Sequence, residues 1–239
     1  MCVEDYSVRK RMGRTLAVSR RSAKPIDTLA MPTLIARSLR EAIILGTIEA
    51  GAPLRQDHIA AEFGVSHIPV REALRELVAE GMAVFVQNRG VIVSELSADL
   101  AWELTEYRCL LEGQMARWAV PLITERDIGE AKDILDRLDN ETQVIEILKL
   151  NTAFHAAIFR AANKPFFLKS IETVRTQLAR YWRLAWQELG YKPQSQRDHR
   201  KILMLCRKRD AAAVSKEMVR HIRETGGLIV SHLRRRDGR

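Results

Sequence analysis

At 239 residues, with 46% hydrophobic and 29% charged side chains, the chain has the apolar content of a soluble globular protein and room for one large or two modest domains. Its formal charge of +9 suits a polyanionic partner; no apolar run reaches the length of a membrane span, and the first residues lack the apolar core of a secretory signal. Cys2, Cys109 and Cys206 are few, odd in number and far apart, which argues against a disulfide framework or a cysteine metal knuckle and for a reducing cytoplasm.

Residues 1–28 read as a basic, disordered arm, because Arg and Lys outnumber Glu4 and Asp5 there and no apolar period is sustained. Ile35, Leu39, Ala42 and Ile43 predict a helix from Thr33 to about Leu45, ended by the turn residues Gly46 to Pro53. Ile59, Ala60 and Phe63 mark a second, short helix that Gly64 breaks. Ser66 then stands at a capping position for a third, with Val70, Leu74, Leu77 and Val78 at helical spacing as far as about Glu80. After Gly81, Val84-Phe85-Val86 and Val91-Ile92-Val93 flank Gln87-Asn88-Arg89-Gly90 and predict a hairpin with a basic tip. Helix, turn, helix and hairpin make a winged helix over residues 29–95, and the small, polar and basic start of its third helix suits a DNA major groove. The residues expected to meet DNA are Arg55, Ser66, His67, Ile68, Arg71, Arg75, Arg89 and Gly90. Arg71 is suited to a bidentate grip on guanine, the other arginines to phosphates.

Beyond Ser94 the pattern is helical. Leu100, Leu104, Tyr107, Leu111, Met115 and Trp118 draw the apolar face of a long helix ending near Pro121. Shorter repeats follow at Ile128, Ala131, Leu135 and Leu138, then at Leu148, Asn151, His155 and Ile158, and Asn163-Lys164-Pro165 interrupts them. Phe167, Ile171, Val174, Leu178, Tyr181, Ala185 and Leu189 mark another long helix, and segments from Ser195 to about Lys208 and from Ala211 to about Leu233 complete the set. The expected fold is mainly α: the winged helix, then a six-helix antiparallel bundle over residues 96–235 and a tail at 236–239.

Asn151 and His155 sit one turn apart on an apolar face, His199 shares a stripe with Ile202 and Cys206, and His221 lies in the seam of Val214, Met218, Thr225 and Leu228. Buried imidazoles need partners: each finds a neighbouring hydrogen bond, or a divalent metal (zinc, nickel, manganese or iron) satisfies them together. His232 is about 16 Å further along the last helix and stands apart. Arg108 falls in line with Leu104, Leu111 and Met115; it either clamps a carboxylate inside the bundle or pairs with Glu112 one turn on.

Leu54-Arg55-Gln56-Asp57-His58-Ile59-Ala60, Gly64-Val65-Ser66, Pro69-Val70-Arg71-Glu72-Ala73-Leu74, Glu80-Gly81 and Asn88-Arg89-Gly90 resemble the N-terminal domain of GntR-type bacterial transcription regulators. His67-Ile68 replaces the Arg-Thr usual in that family. Residues 97–235 resemble the FadR-like branch with its helical, metal-containing FCD domain, in which an Asp-x-x-x-His pair and two later histidines hold the ion. Asn151-Thr152-Ala153-Phe154-His155, Asp198-His199-Arg200 and Arg220-His221-Ile222 stand at those places, with Asn151 in place of the commoner Asp. The resemblance implies a cytoplasmic, ligand-responsive repressor. It would be a homodimer on a pseudo-palindromic double-stranded operator, with a divalent metal, zinc foremost, and a small acidic metabolite as effector near Arg108. Two other readings remain open at this stage. One is a metal-dependent enzyme using the histidines, against which no Glu or Asp beside the histidine motifs marks a general base; the other is an architectural DNA-binding protein without an effector.

Overall fold

The computed structural model describes residues 31–238; the arm expected over residues 1–28 lies outside the described residues. Helix α1 (Met31–Leu45), α2 (Gln56–Phe63) and α3 (His67–Ala79) precede the strands β1 (Ala83–Val86) and β2 (Gly90–Val93), which pair antiparallel with Phe85 opposite Val91. The turn between α2 and α3 depends on Gly64, whose φ of 66° is the left-handed conformation that closes a helix at low cost only for glycine. Ser66 occupies the capping position of α3 with extended backbone, but its hydroxyl makes no capping hydrogen bond, contrary to the sequence expectation.

The bundle consists of α4 (Ala98–Ala119), α5 (Glu125–Asn140), α6 (Val144–Phe159), α7 (Pro165–Arg183), α8 (Lys192–Arg207) and α9 (Ala211–Asp237). Side chains cap the starts of α4, α5 and α9: Ser97 accepts from the Leu100 amide, Thr124 and Asp127 form a reciprocal capping box, and Asp210 accepts from the Ala213 amide. The long helix expected to reach Leu189 ends as α7 at Arg183 and continues as a π turn over Leu184–Glu188. At the other end, α9 runs beyond Leu233 to Asp237.

The face expected to bury α4 is found in part: Met115 and Arg108 are buried and Leu104, Leu111 and Trp118 pack half-buried against the core, but the stripe is centred on smaller residues. Leu100 and Tyr107 are 40% and 46% exposed, whereas Ala101, Thr105, Arg108, Cys109, Glu112, Gly113, Ala116 and Ala119 are buried. Close approach of α4 to α9 explains the choice, since the contact is made by small groups: Ser215 donates to the Gly113 carbonyl at 2.8 Å, and a Cβ on Gly226 would collide with Thr105. Small residues let the axes close, and Leu100 and Tyr107 turn outward.

The apolar core of the winged helix, with Ile35, Leu39, Val70, Leu74, Leu77 and Met82, runs without interruption into Leu178, Tyr181, Trp182 and Leu233 of the bundle. Helix α7 also holds the connecting chain. Arg180 Nη1 donates to the Ser94 carbonyl at 2.6 Å, and the Ser97 amide donates to the Tyr181 hydroxyl at 3.3 Å. The packing of α4 on α9 predicts opposite outcomes for adjacent glycines. Gly226→Val should lower unfolding stability by about 1–3 kcal/mol through overpacking. Gly227→Ala, with nothing within 4 Å of the added Cβ, should be neutral or stabilising by up to about 1 kcal/mol. Equal urea midpoints for Gly226→Val and the parent would refute this account.

Candidate metal centre and nucleic-acid face

At the middle of the bundle a ring nitrogen from each of His155 on α6, His199 on α8 and His221 on α9 lies within 4.8 Å of the others. All three rings are buried. Their hydrogen bonds divide the nitrogens into two kinds. His199 Nδ1 lies 3.1 Å from Gln196 Oε1, and His221 Nδ1 lies 3.0 Å from Asp198 Oδ2. Gln196 spends its amide hydrogens on Asp139 and the Leu135 carbonyl, so its oxygen must accept and His199 Nδ1 must donate. The Nε2 lone pair of His199 is thereby turned into the cluster with no protein partner, and Nε2 of His155 is equally unpartnered. Leaving such groups buried and unsatisfied costs about 1–3 kcal/mol each.

Burial pushes His155 and His199 well below the ordinary imidazole range; Arg175 acts the same way on His155, and the proximity of the other two imidazoles on His199. Burial also lowers His221, against the opposing pull of Asp198. The Asp198 carboxylate, despite its burial, is brought down to about 2 by hydrogen bonds from His221 and Arg220. Neutral imidazoles oriented by an outer carboxylate and an outer amide are the donor set that a divalent metal requires. The residues therefore fit the ion that the sequence resemblance implies. Asn151 is buried one turn before His155 on α6, as its spacing predicted. His232 lies apart, 3.3 Å from Glu188.

Beside His155 lies a charge cluster that sequence reading resolved only in part. Arg108 Nε donates to Glu112 Oε1 at 2.5 Å, the intrahelical pairing that the spacing allowed. Arg175 of α7 grips the same carboxylate through Nε and Nη2, both at 2.9 Å. Both guanidiniums cover the Trp182 ring, 4.8 and 5.6 Å from its centroid. Glu112 Oε2 lies 3.0 Å from His155 Nδ1. Burial would raise the Glu112 carboxyl, but Arg108 and Arg175, with His155, hold it well below its usual range. Burial and Arg108 in turn lower Arg175 to about 10. Two acids, Glu112 and Asp198, stand beside the histidines, each already paired with arginine; the sequence reading placed Asp198 next to His199 but did not bring Glu112 to His155. Arg175 had a readable signal, a charge inside the apolar stripe of Ile171, Val174 and Leu178; nothing local could assign its partner 63 residues away.

On the winged helix, Arg55, Ser66, His67, Ile68, Arg71, Arg75 and Arg89 are exposed, and Gly90 is half-buried at the wing. Arg55, His67, Arg89 and Gly90 line one cleft of about 340 Å³ between the starts of α2 and α3 and the hairpin. Arg71 and Arg75 line a neighbouring recess beneath Phe85. Ile68 is 68% exposed at the tip of α3, an apolar group placed to meet another surface.

Residues 33–93 match the family model of bacterial regulatory proteins of the gntR family, and residues 103–224 match that of the FCD domain. The HTH-type transcriptional repressor RspR of Escherichia coli (strain K12) is 28% identical over 193 residues, covering 80% of this chain and 85% of that protein. The Nta operon transcriptional regulator of Aminobacter aminovorans is 30% identical over 141 residues, covering 57% of this chain and 66% of that protein. The crystal structure of a GntR family transcriptional regulator from Pseudomonas syringae pv. tomato shares 28% identity at a TM-score of 0.55, covering 88% of this chain and 89% of that one.

Proposed function

The chain belongs to the gntR family of bacterial regulatory proteins and carries an FCD domain, a transcriptional regulator and not an enzyme, and on that premise we propose that it is a metal-containing repressor released from or fixed on its operator by a small acidic effector. The orphaned imidazole nitrogens carry the reading, because an architectural protein without an effector would have no need of a buried, unsatisfied histidine cluster. Repression is supported by the name of RspR, a transcriptional repressor. The proposed setting is the cytoplasm; among the described residues no helix is long and apolar enough to cross a membrane.

His155, His199 and His221 would hold the divalent ion, with Asn151 as a neutral further ligand and zinc as the first choice of metal. Bound there, the metal would supply a Lewis-acidic centre attractive to an anionic oxygen. The chain's own groups act in the same sense. Arg108 and Arg175 share the single carboxylate of Glu112, so with neutral imidazoles the buried cluster carries an excess positive charge that a carboxylate would neutralise. An effector that binds two arrangements of the protein with unequal affinity must alter operator affinity reciprocally.

DNA recognition is assigned to Arg71 and the Ser66, His67 and Ile68 tip of α3 in the major groove, with Arg55, Arg75 and Arg89 on phosphates and Gly90 letting the wing approach closely. Two-fold pairing would present two such helices to a pseudo-palindrome. The outward face of α4, where Leu100, Tyr107 and Leu110 are exposed, is the proposed contact between copies.

Arg71→Ala should weaken operator binding by about 1–3 kcal/mol in fluorescence anisotropy while the protein stays folded; unchanged affinity would remove Arg71 from the interface. The double substitution His155→Ala, His221→Ala should leave a folded protein carrying much less metal by mass spectrometry and no longer responsive to acids in operator binding. Stoichiometric metal in that variant would show that the ion is held elsewhere. Leu110→Glu should convert a dimer to a monomer in sedimentation velocity, and a persistent dimer would move the contact to another face.

A further inference from the structure

Helix α3 has two faces. Val70, Ala73, Leu74 and Leu77 are buried, whereas Ile68, Arg71 and Arg75 follow one another at helical spacing and form an exposed row with Glu72 beside it. Ile68 therefore stands on the charged face, 68% exposed in the first turn. A single exposed apolar side chain is ordinary on a protein surface; this one heads the row that carries the arginine assigned to base reading. His67 next to it lines the cleft of Arg55 and Arg89 instead and has Asp57 Oδ1 3.4 Å from its Nε2. In the major groove the base edges offer hydrogen-bond donors and acceptors, and thymine alone adds an apolar group, its 5-methyl. The Ile68 side chain has no polar atom with which to read the former, and its β-branch restricts it to few rotamers. A cytosine opposite it would bring an amino donor against hydrocarbon and leave it without an acceptor.

We propose that Ile68 is a specificity-determining residue, packing on the 5-methyl group of a thymine in each half of the operator and selecting against cytosine at that base pair. The proposal rests on the reading of α3 as the helix in the major groove, and it adds which base the apolar residue reads. Ile68 and Arg71 are one turn apart on the same row. At a rise of about 1.5 Å per residue against about 3.4 Å per base step, the thymine lies within about two base pairs of the base that Arg71 contacts. An uncharged contact of this kind adds sequence selectivity without adding to the salt dependence of binding, which the arginines carry.

The experiment starts with selection of an operator by the full-length protein from a pool of random double-stranded oligonucleotides. Fluorescence anisotropy then follows binding to duplexes in which each thymine in turn, in both half-sites, is replaced by deoxyuridine, which lacks only the 5-methyl. The parent is compared with Ile68→Ala, which puts a good helix former at an exposed position and so preserves the fold. In the parent, one such symmetric replacement should weaken binding about 10- to 20-fold, near fourfold for each methyl lost. Ile68→Ala should bind the thymine duplex more weakly by at least that factor, show no difference between thymine and deoxyuridine there, and keep the parent's dependence on salt. A scan in which no thymine matters to the parent, or in which the sensitive thymine matters equally to Ile68→Ala, overturns the inference. Unchanged operator affinity of Ile68→Ala with an altered sedimentation coefficient would make Ile68 a contact between copies of the chain, which overturns it as well. Arg71→Ala separates this inference from the reading beneath it. If that variant loses operator affinity while the methyl scan is flat, the role of Ile68 alone fails; if the selection enriches no sequence, the placement of α3 in the groove fails with it.

Discussion

One carboxylate, Glu112, is gripped by Arg108 from its own helix and by Arg175 from α7, with His155 of α6 against its second oxygen. Each of these groups would be costly to bury alone, and removing one would strand the others. Together they hold α4, α6 and α7 in one rotational setting. The two guanidiniums lie over Trp182, so the charge cluster is roofed by an aromatic ring that also belongs to the apolar core shared with the winged helix.

That clamp sets the environment of the histidines. His155 is brought to the cluster on α6, while α8 and α9 bring His199 and His221, each oriented through Nδ1 by Gln196 or Asp198. A second layer of hydrogen bonds holds the orienting groups in turn: Gln196 on Asp139 and the Leu135 carbonyl, Asp198 on Arg220 and Gln194. The inner faces of the rings are therefore presented with their lone pairs free. A cluster built in this way is rigid and unsatisfied at once, the condition in which a bound ion gains most from a preformed site.

Helix α7 links this interior to the DNA-binding unit. Its successive turns carry Arg175 at the charge cluster, Arg180 on the connecting chain, Tyr181 at the start of α4, and Arg183 against Gly46 after α1. A rigid helix with contacts at both ends transmits a displacement that a loop would absorb. The winged helix itself keeps polar groups outward, with the Ser66 hydroxyl making no cap and Arg55 and Arg89 sharing a cleft with His67, beside the exposed apolar Ile68.

The chain by itself determined the parts governed by short-range rules. Gly64 and Gly81 close helices, Ser97, Thr124 and Asp210 open them, and the hairpin follows from β-branched runs around Asn88 and Gly90. Four-residue spacing alone put Asn151 and His155 on one face of α6. Tertiary structure decided where the buried face of α4 is centred, because small residues permitting close approach to α9 turned Leu100 and Tyr107 outward while Met115 stayed buried. Tertiary packing also decided that Arg175 of α7 joins Arg108 on Glu112, and that Asp198 of α8 pairs with His221 of α9. Periodicity reports how apolar a face is; the distance at which two helices pack, and hence which charges meet between them, depends on the partner helix.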